Sequence, residues 1–169
     1  AGYSSSLNGQ ISRNGGSTDS VVNVSSSIVL NQGEYVVFQN HLPAFVNYVG
    51  LSKSNNVDTN SYTNQPYGIL QTNSGLKPYE YGASPTTGST GLAYGNYYRI
   101  RYEAYTIYYE WSTDSVAWQN IYTSANAADG GAYYVWLILT TSTNAGFLQA
   151  YKYINASPSV SYTHLRAHE

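Results

Sequence analysis

Residues 97–112 admit one register as a β-hairpin, and that register constrains the fold more than any other feature of the chain. With Ala104-Tyr105 as a two-residue turn, Glu103 faces Thr106, and the strands Tyr97–Glu103 and Thr106–Ser112 run antiparallel. One face then carries the opposed pairs Tyr102–Ile107, Ile100–Tyr109 and Tyr98–Trp111, all apolar or aromatic. The other carries Arg101–Tyr108 and Arg99–Glu110. Because side chains alternate along a strand, a slip of one residue would turn both arginines into the apolar face. The apolar face is therefore predicted to be core. Arg99–Glu110 is predicted to be a cross-strand ion pair on the outer face, worth about 0.2–1 kcal/mol if exposed.

The rest of the chain reads the same way. Further short strands are predicted at Val21–Val24, Glu34–Asn40, Asn47–Ser52, Tyr67–Thr72, Lys77–Tyr81, Gln119–Thr123, Tyr133–Thr140 and Phe147–Ile154. The breaks between them carry turn chemistry: Asn31-Gln32-Gly33, Asn73-Ser74-Gly75, Gly95-Asn96 and Asp129-Gly130-Gly131. No stretch sustains a helical apolar period, and no fixed-length repeat suggests a solenoid or propeller. In 169 residues this pattern predicts one all-β domain, an antiparallel sandwich, over residues 20–155. Residues 1–19 read as a loose polar arm of Ser, Asn and Gly. Residues 156–169 read as a disordered or non-native tail. The peptide from Ser161 to Glu169, which holds two of the three histidines, resembles translated sequencing adapter.

Composition narrows the function classes. Charged residues make up 9% of the chain, against about 25% in an average soluble domain. Polarity comes instead from 22 Ser, 14 Thr, 16 Asn and 7 Gln, beside 20 Tyr. A net charge of −2 with seven Lys plus Arg argues against a nucleic-acid or anionic-membrane partner. No apolar run approaches the ~20 residues of a membrane span. The absence of Cys excludes thiolate catalysis and cysteine-ligated zinc, and a domain this long can do without disulfides in any compartment. Low charge with abundant Tyr, Ser, Thr and Asn fits an extracellular, cell-surface or virion-surface protein. The chain starts at Ala1 without a basic and then apolar leader, so any signal peptide is expected to have been removed or never to have existed.

The strand Tyr133–Thr140 has one fully apolar row, Tyr133, Val135, Leu137 and Leu139, and a mixed row with Tyr134 and Trp136. If Tyr134 and Trp136 share the face of Arg99, Arg101 and Tyr108, that face is a platform of flat rings with hydrogen-bonding edges. Such platforms bind sugars, whose C–H face stacks on a ring while polar neighbours orient the hydroxyls. Arg99, Arg101, Tyr108, Tyr134 and Trp136 are therefore the candidate ligand-binding residues, with Trp136 expected at the surface. The competing reading has Tyr134 and Trp136 covered by a loop or by the N-terminal arm. Two weaker signals are the glycosylation sequons at Asn23 and Asn155.

The series Gly33-Glu-Tyr-Val-Val-Phe-Gln, Tyr48-Val-Gly-Leu-Ser, Tyr67-Gly-Ile-Leu, Gly95-Asn-Tyr-Tyr-Arg-Ile-Arg-Tyr and Ile107-Tyr-Tyr-Glu-Trp resembles concanavalin A-like lectin and glucanase jelly-roll domains. The resemblance spans about residues 20–155 and rests on pattern, not on an invariant motif. It implies two packed antiparallel sheets with a concave face, and often carbohydrate binding, adhesion or virion attachment. The fold alone does not decide among these. Separately, Ser112-Thr-Asp-Ser-Val-Ala-Trp118 resembles the Asp-box hairpin, one residue short and with Val116 in place of Gly. That likeness assigns Asp114 to capping the turn and Trp118 to packing beneath it.

Catalytic chemistry is hard to assemble from these residues. The Glu-x-Asp-x-x-Glu strand of jelly-roll glucanases is missing, and a retaining glycosidase needs two carboxyl groups about 5–5.5 Å apart. Glu110 facing Arg99 would stay charged, which is wrong for a general acid. Glu80 reads as a solvated strand carboxylate. His41 sits in a turn before Pro43 with no triad or metal partner at useful spacing. Asp58 and the asparagines of Lys53–Asn64 offer calcium one carboxylate, a weak site, and no other cofactor is expected. The reading is of a non-enzymatic module binding a glycan or cell-surface ligand. The alternatives are a structural subunit that self-assembles as a homo-oligomer, filament, fibre or capsid, and a degenerate glycosidase.

Overall fold

The computed structural model describes residues 3–5, 10–13, 22–40, 47–54, 65–72, 75–86, 96–139 and 146–154. They form twelve strands: β1 (Tyr3–Ser5), β2 (Gln10–Arg13), β3 (Val22–Leu30), β4 (Glu34–Asn40), β5 (Asn47–Ser52), β6 (Tyr67–Thr72), β7 (Gly75–Tyr79), β8 (Tyr97–Glu103), β9 (Thr106–Ser112), β10 (Gln119–Thr123), β11 (Tyr133–Leu139) and β12 (Gly146–Ile154). A seven-stranded sheet runs β1-β2-β12-β4-β8-β9-β10, and a five-stranded sheet runs β3-β11-β5-β6-β7. Every pairing between strands is antiparallel. Among the described residues there is no helix, so none long and apolar enough to cross a membrane.

The β8–β9 hairpin has the register derived from its facial segregation. Arg99 lies opposite Glu110, Ile100 opposite Tyr109 and Glu103 opposite Thr106. Both turn residues, Ala104 and Tyr105, have positive φ, as a type I′ turn requires. The apolar row of this hairpin meets Val36 and Phe38 of β4. From the second sheet, Val49 and Leu51 of β5, Tyr67 and Ile69 of β6 and Tyr133, Val135 and Leu137 of β11 close the same core. Burying one row from each sheet is what holds the two layers together.

Three segments differ from the sequence expectation. The segment read as a loose polar arm contributes β1 and β2, which pair with each other and dock on β12. Gln10–Arg13 holds one apolar residue, Ile11, so no hydrophobic period marks it as a strand; its hydrogen-bonding is a backbone property. β3 runs to Leu30, well beyond Val24. The polar run Ser25–Ser27 hid its continuity, and it sits where the pairing shifts between Tyr134–Val29 and Trp136–Ser25. β7 ends at Tyr79 because Tyr81 and Gly82 turn the chain with positive φ. It lies at a sheet edge, where Pro78 costs no ladder bond. Asp58, Asn155 and the tail 156–169 lie outside the described residues, so the calcium loop, the second sequon and the adapter-like end are expectations only.

On the face of the five-stranded sheet away from the core, Tyr48 is fully buried. Its ring lies flat across Gly50 and Gly68, which face each other on β5 and β6; a Cβ at Gly68 would overlap the Tyr48 hydroxyl and Cζ. The two glycines are thus a seat for one ring. Gly68→Ala is expected to cost about 1–3 kcal/mol in urea unfolding, the scale of overpacking a filled site. In a Tyr48→Ala background that cost should largely vanish. Equal costs in both backgrounds would show that the ring is not what excludes the methyl group.

Candidate functional site

The five residues predicted to share one platform fall on two different sheets. Arg99, Arg101 and Tyr108 project from β8 and β9, in the seven-stranded sheet, whereas Tyr134 and Trp136 belong to β11 in the five-stranded sheet. In each case the intervening row points into the shared core, so the two groups occupy opposite outer faces of the sandwich. Trp136 is 4% exposed, not a surface ring. Its indole N–H donates to the Ser54 carbonyl at 3.1 Å. Sequence alternation assigned the right row within each strand but had no means of deciding which strands share a sheet.

The outer face of the seven-stranded sheet holds a closed ionic network. Arg99 Nε donates to Glu110 Oε2 at 2.6 Å, and Arg101 reaches both Glu110 oxygens at 3.1 Å. Arg101 also pairs with Glu103. Aromatic rings flank the cations: Arg99 lies over Trp118 at 4.2 Å and Tyr35 at 4.9 Å, and Arg101 over Tyr108 at 3.9 Å. The pair expected as ordinary surface electrostatics is therefore mostly shielded from water, which strengthens it. Burial opposes the charged form of Glu110, but hydrogen bonds from Arg101 and Arg99 outweigh it and hold the carboxyl below its ordinary value. A carboxyl held charged is unsuited to general-acid work. Two cations shared by two carboxylates leave this face little capacity for a charged ligand.

The Asp-box likeness holds at Asp114. Its Oδ1 accepts from the Val116 amide at 2.8 Å and the Ala117 amide at 2.9 Å, and the Ser112 hydroxyl donates to it at 2.8 Å. These backbone bonds lower its pKa. Trp118 contributes by stacking on Arg99, so the turn is tied to the ionic network.

A pocket of about 350 Å³ opens instead where loops of both sheets converge. Ser52, Lys53 and Ser54 line it from the end of β5, Pro66 from before β6, Tyr81 from the turn after β7, Ala127 and Asp129 from the β10–β11 connection, and Tyr133 from the start of β11. Two of the lining residues, Tyr133 and Tyr81, belong to a relay of rings in edge-on contact that runs into the core: Tyr102 to Tyr133 at 5.6 Å, Tyr133 to Tyr67 at 5.7 Å, and Tyr67 to Tyr81 at 5.8 Å. Lys53 stands over the Tyr133 ring at 3.6 Å, pairs with Asp129 and donates to the Ala132 carbonyl at 3.3 Å. The Tyr133 hydroxyl and the Gly131 amide also donate to Asp129, at 3.3 and 3.1 Å. The Lys53 bond and the Gly131 amide lower the Asp129 pKa, while burial pushes the Tyr133 phenol up to about 12.

Of two exposed tyrosines at this end, Tyr81, 63% exposed, lines the pocket. Tyr105, 56% exposed, packs against Gly130, next to the pocket's Asp129. Both have positive φ, which costs a side-chain-bearing residue about 1–2 kcal/mol. Strain of this kind gathers at sites that need a fixed side-chain direction.

The wall is fastened from behind by Glu80, expected to be solvated but in fact buried. It accepts from the Tyr109 hydroxyl at 3.1 Å and from Asn126 Nδ2 at 2.7 Å. The Ala128 amide donates to the Tyr105 carbonyl at 2.7 Å, which joins the same connection to the β8–β9 turn. Trp136, through Ser54, braces the opposite wall. The sequence reading placed Asp129 in a turn, Tyr133 in an apolar row and Lys53 at the start of a possible calcium loop, but did not join them into one site, because nothing local to one loop says which other loops it will meet.

No protein-family model and no curated protein sequence matches the chain. Solved structures do. The SPRY domain of human HERC1 superposes with a TM-score of 0.60 at 16% identity, over 88% of this chain and 91% of that one. A legume lectin-like domain from Entamoeba histolytica gives 0.62 at 10% identity, over 90% and 86%. The exoplasmic/lumenal domain of VIP36, in its Ca2+/Man3GlcNAc-bound form, gives 0.54 at 9%, over 89% and 81%. The chain has the concanavalin A-like jelly-roll fold. At these identities the likeness is one of architecture, and the site rests on its own geometry.

Glu110 supplies a pH test of the ionic network. Its folded pKa is depressed, so its stabilisation is complete above the unfolded value near 4.5 and is lost as pH falls through the folded value. Asp114 and Asp129 shift the same way, in a lower window that opens below their ordinary value near 3.8. Glu110→Gln is expected to lower stability near neutrality by about 1–3 kcal/mol, with a flatter decline below pH ~4.5. An unchanged acid slope in thermal melts would mean that the network is not what Glu110 stabilises.

Proposed function

We propose that this chain is a non-catalytic β-sandwich that binds a glycan or related cell-surface ligand at the loop-end pocket, as an adhesion or attachment module outside the cell or on a virion. One observation carries the reading. An exposed tyrosine ring, Tyr81, is held in strained backbone on the wall of a pocket that also offers hydrogen-bonding groups, and a second, Tyr105, stands beside Gly130, next to the pocket's Asp129. Exposed rings next to polar groups suit a pyranose, which stacks one face and hydrogen-bonds at its edge. The fold supports the reading, since it is shared with a lectin-like domain and with a mannose-glycan-bound domain. The low charge and polar-neutral composition fit an extracellular setting. A role for Arg99, Arg101 and Tyr108 is then to hold the sheet, with any ligand contact there secondary.

The test uses a substitution that relieves strain while removing the ring. Tyr81→Gly and Tyr105→Gly should leave stability within about 1 kcal/mol, because the lost ring contact and the relieved left-handed backbone offset each other. Each should lower glycan affinity by about 1–3 kcal/mol, the scale for removing an anchor at a binding surface. Glycan-array binding that is absent in the parent, or unchanged in both variants, would overturn the proposal. Light scattering on the same samples separates the assembling-subunit alternative, in which these variants would dissociate oligomers and leave no sugar effect.

A further inference from the structure

The pocket carries two opposite charges whose bonding is incomplete in a specific way. All three bonds to Asp129 fall on Oδ1: from Lys53 Nζ, the Gly131 amide and the Tyr133 hydroxyl. Among the described residues, Oδ2 has no partner. Lys53 Nζ has three protons: two go to Asp129 and to the Ala132 carbonyl, and the ammonium otherwise faces the Tyr133 ring at 3.6 Å, a contact weaker than a hydrogen bond to a hydroxyl. The pocket wall therefore offers, side by side, one ammonium donor that a ligand hydroxyl can draw from the ring and one carboxylate acceptor. Both remain in contact with solvent, Lys53 being 40% and Asp129 64% exposed at the side chain.

We propose that this pair makes the pocket selective for neutral sugars over charged ones, a reading that rests on the glycan-binding function proposed above. A hydroxyl both accepts and donates, so two neighbouring hydroxyls on a neutral pyranose satisfy the Lys53 proton that faces the Tyr133 ring and Asp129 Oδ2 together. A uronic or sialic acid carboxylate only accepts. It would bond Lys53 but meet Asp129 as a like charge, and its approach would pull Lys53 from its present partner. An amino sugar's ammonium only donates, and it meets the mirror penalty at Lys53. Each charge of the pair thus vetoes one class of charged ligand, while the pair as a whole is neutral.

The two vetoes can be removed separately. The parent and the variants Asp129→Asn, Lys53→Met and Lys53→Met/Asp129→Asn would be titrated with neutral hexosides, with glycans ending in uronic or sialic acid, and with free-amine glucosamine oligosaccharides. The parent should favour the neutral set. Asp129→Asn should raise the ratio of carboxylated to neutral binding by about fivefold, and Lys53→Met should raise the ratio for amino sugars by a similar factor, the upper range for one partly exposed charge pair. Both gains should shrink with added salt, and the double variant should favour the neutral set again. Thermal melts establish that each variant is folded, and Lys53→Met keeps the apolar stem over Tyr133. If the parent binds neutral glycans but the single variants leave the charge preference unchanged, selectivity by this pair is wrong while glycan binding stands. If the parent binds no glycan in any set, both proposals fall.

Discussion

A core built from tyrosines imposes a condition that a leucine core does not: each buried ring carries a hydroxyl that needs a partner. Tyr67, Tyr98, Tyr102, Tyr109 and Tyr133 are all buried between the two sheets. The hydroxyls of Tyr67, Tyr109 and Tyr133 are directed to the Asn126 carbonyl, Glu80 and Asp129. These acceptors sit in the connections after β7 and between β10 and β11. Polar groups are thereby drawn to one end of the sandwich, and the loops there are fixed by the same bonds that satisfy the core. The pocket is a by-product of that requirement. Tyr133 and Tyr81 of the relay line it, together with the loop that receives the hydroxyls.

The two charged clusters play different parts because their surroundings differ. Around Glu110, three rings and two guanidiniums exclude water, so the cluster stabilises the sheet while presenting little unmet bonding capacity outward. Lys53–Asp129 is more open to solvent, and screening keeps its contribution to stability small. What it retains is hydrogen-bonding capacity in the wall of a cavity. The weaker pair is therefore the better candidate for recognition, and the stronger one for architecture.

Much of the fold was legible because two-sided strands announce themselves. Tyr98, Ile100 and Tyr102 alternate with Arg99 and Arg101, and only one register keeps them apart. β1 and β2 were invisible for the opposite reason, being almost wholly polar strands at one end of the seven-stranded sheet whose pairing is carried by the backbone. The site was far less legible. Tyr134 and Trp136 resemble Tyr108 in residue type and in facing away from the core, but sheet membership depends on long-range pairing that alternation does not encode. Lys53, Tyr81 and Asp129 are separated by 28 and 48 positions and look like unrelated loop residues. Glu80 looked solvated because its partners, Tyr109 and Asn126, come from other strands and loops.

The strained turns bear on why the loop end, and not a sheet face, is the place to look for function. Glycine would meet the backbone demand at positions 81 and 105 without strain, and Gly82 shows that it is used in the same turn. A tyrosine there gives up about 1–2 kcal/mol of backbone energy. Packing recovers only part of that cost, since both rings remain more than half exposed. An arrangement that is costly in the backbone and wasteful of apolar surface is hard to explain by stability alone. Contact with something that covers those rings explains both terms at once, because burial on binding would return what the free protein leaves in water.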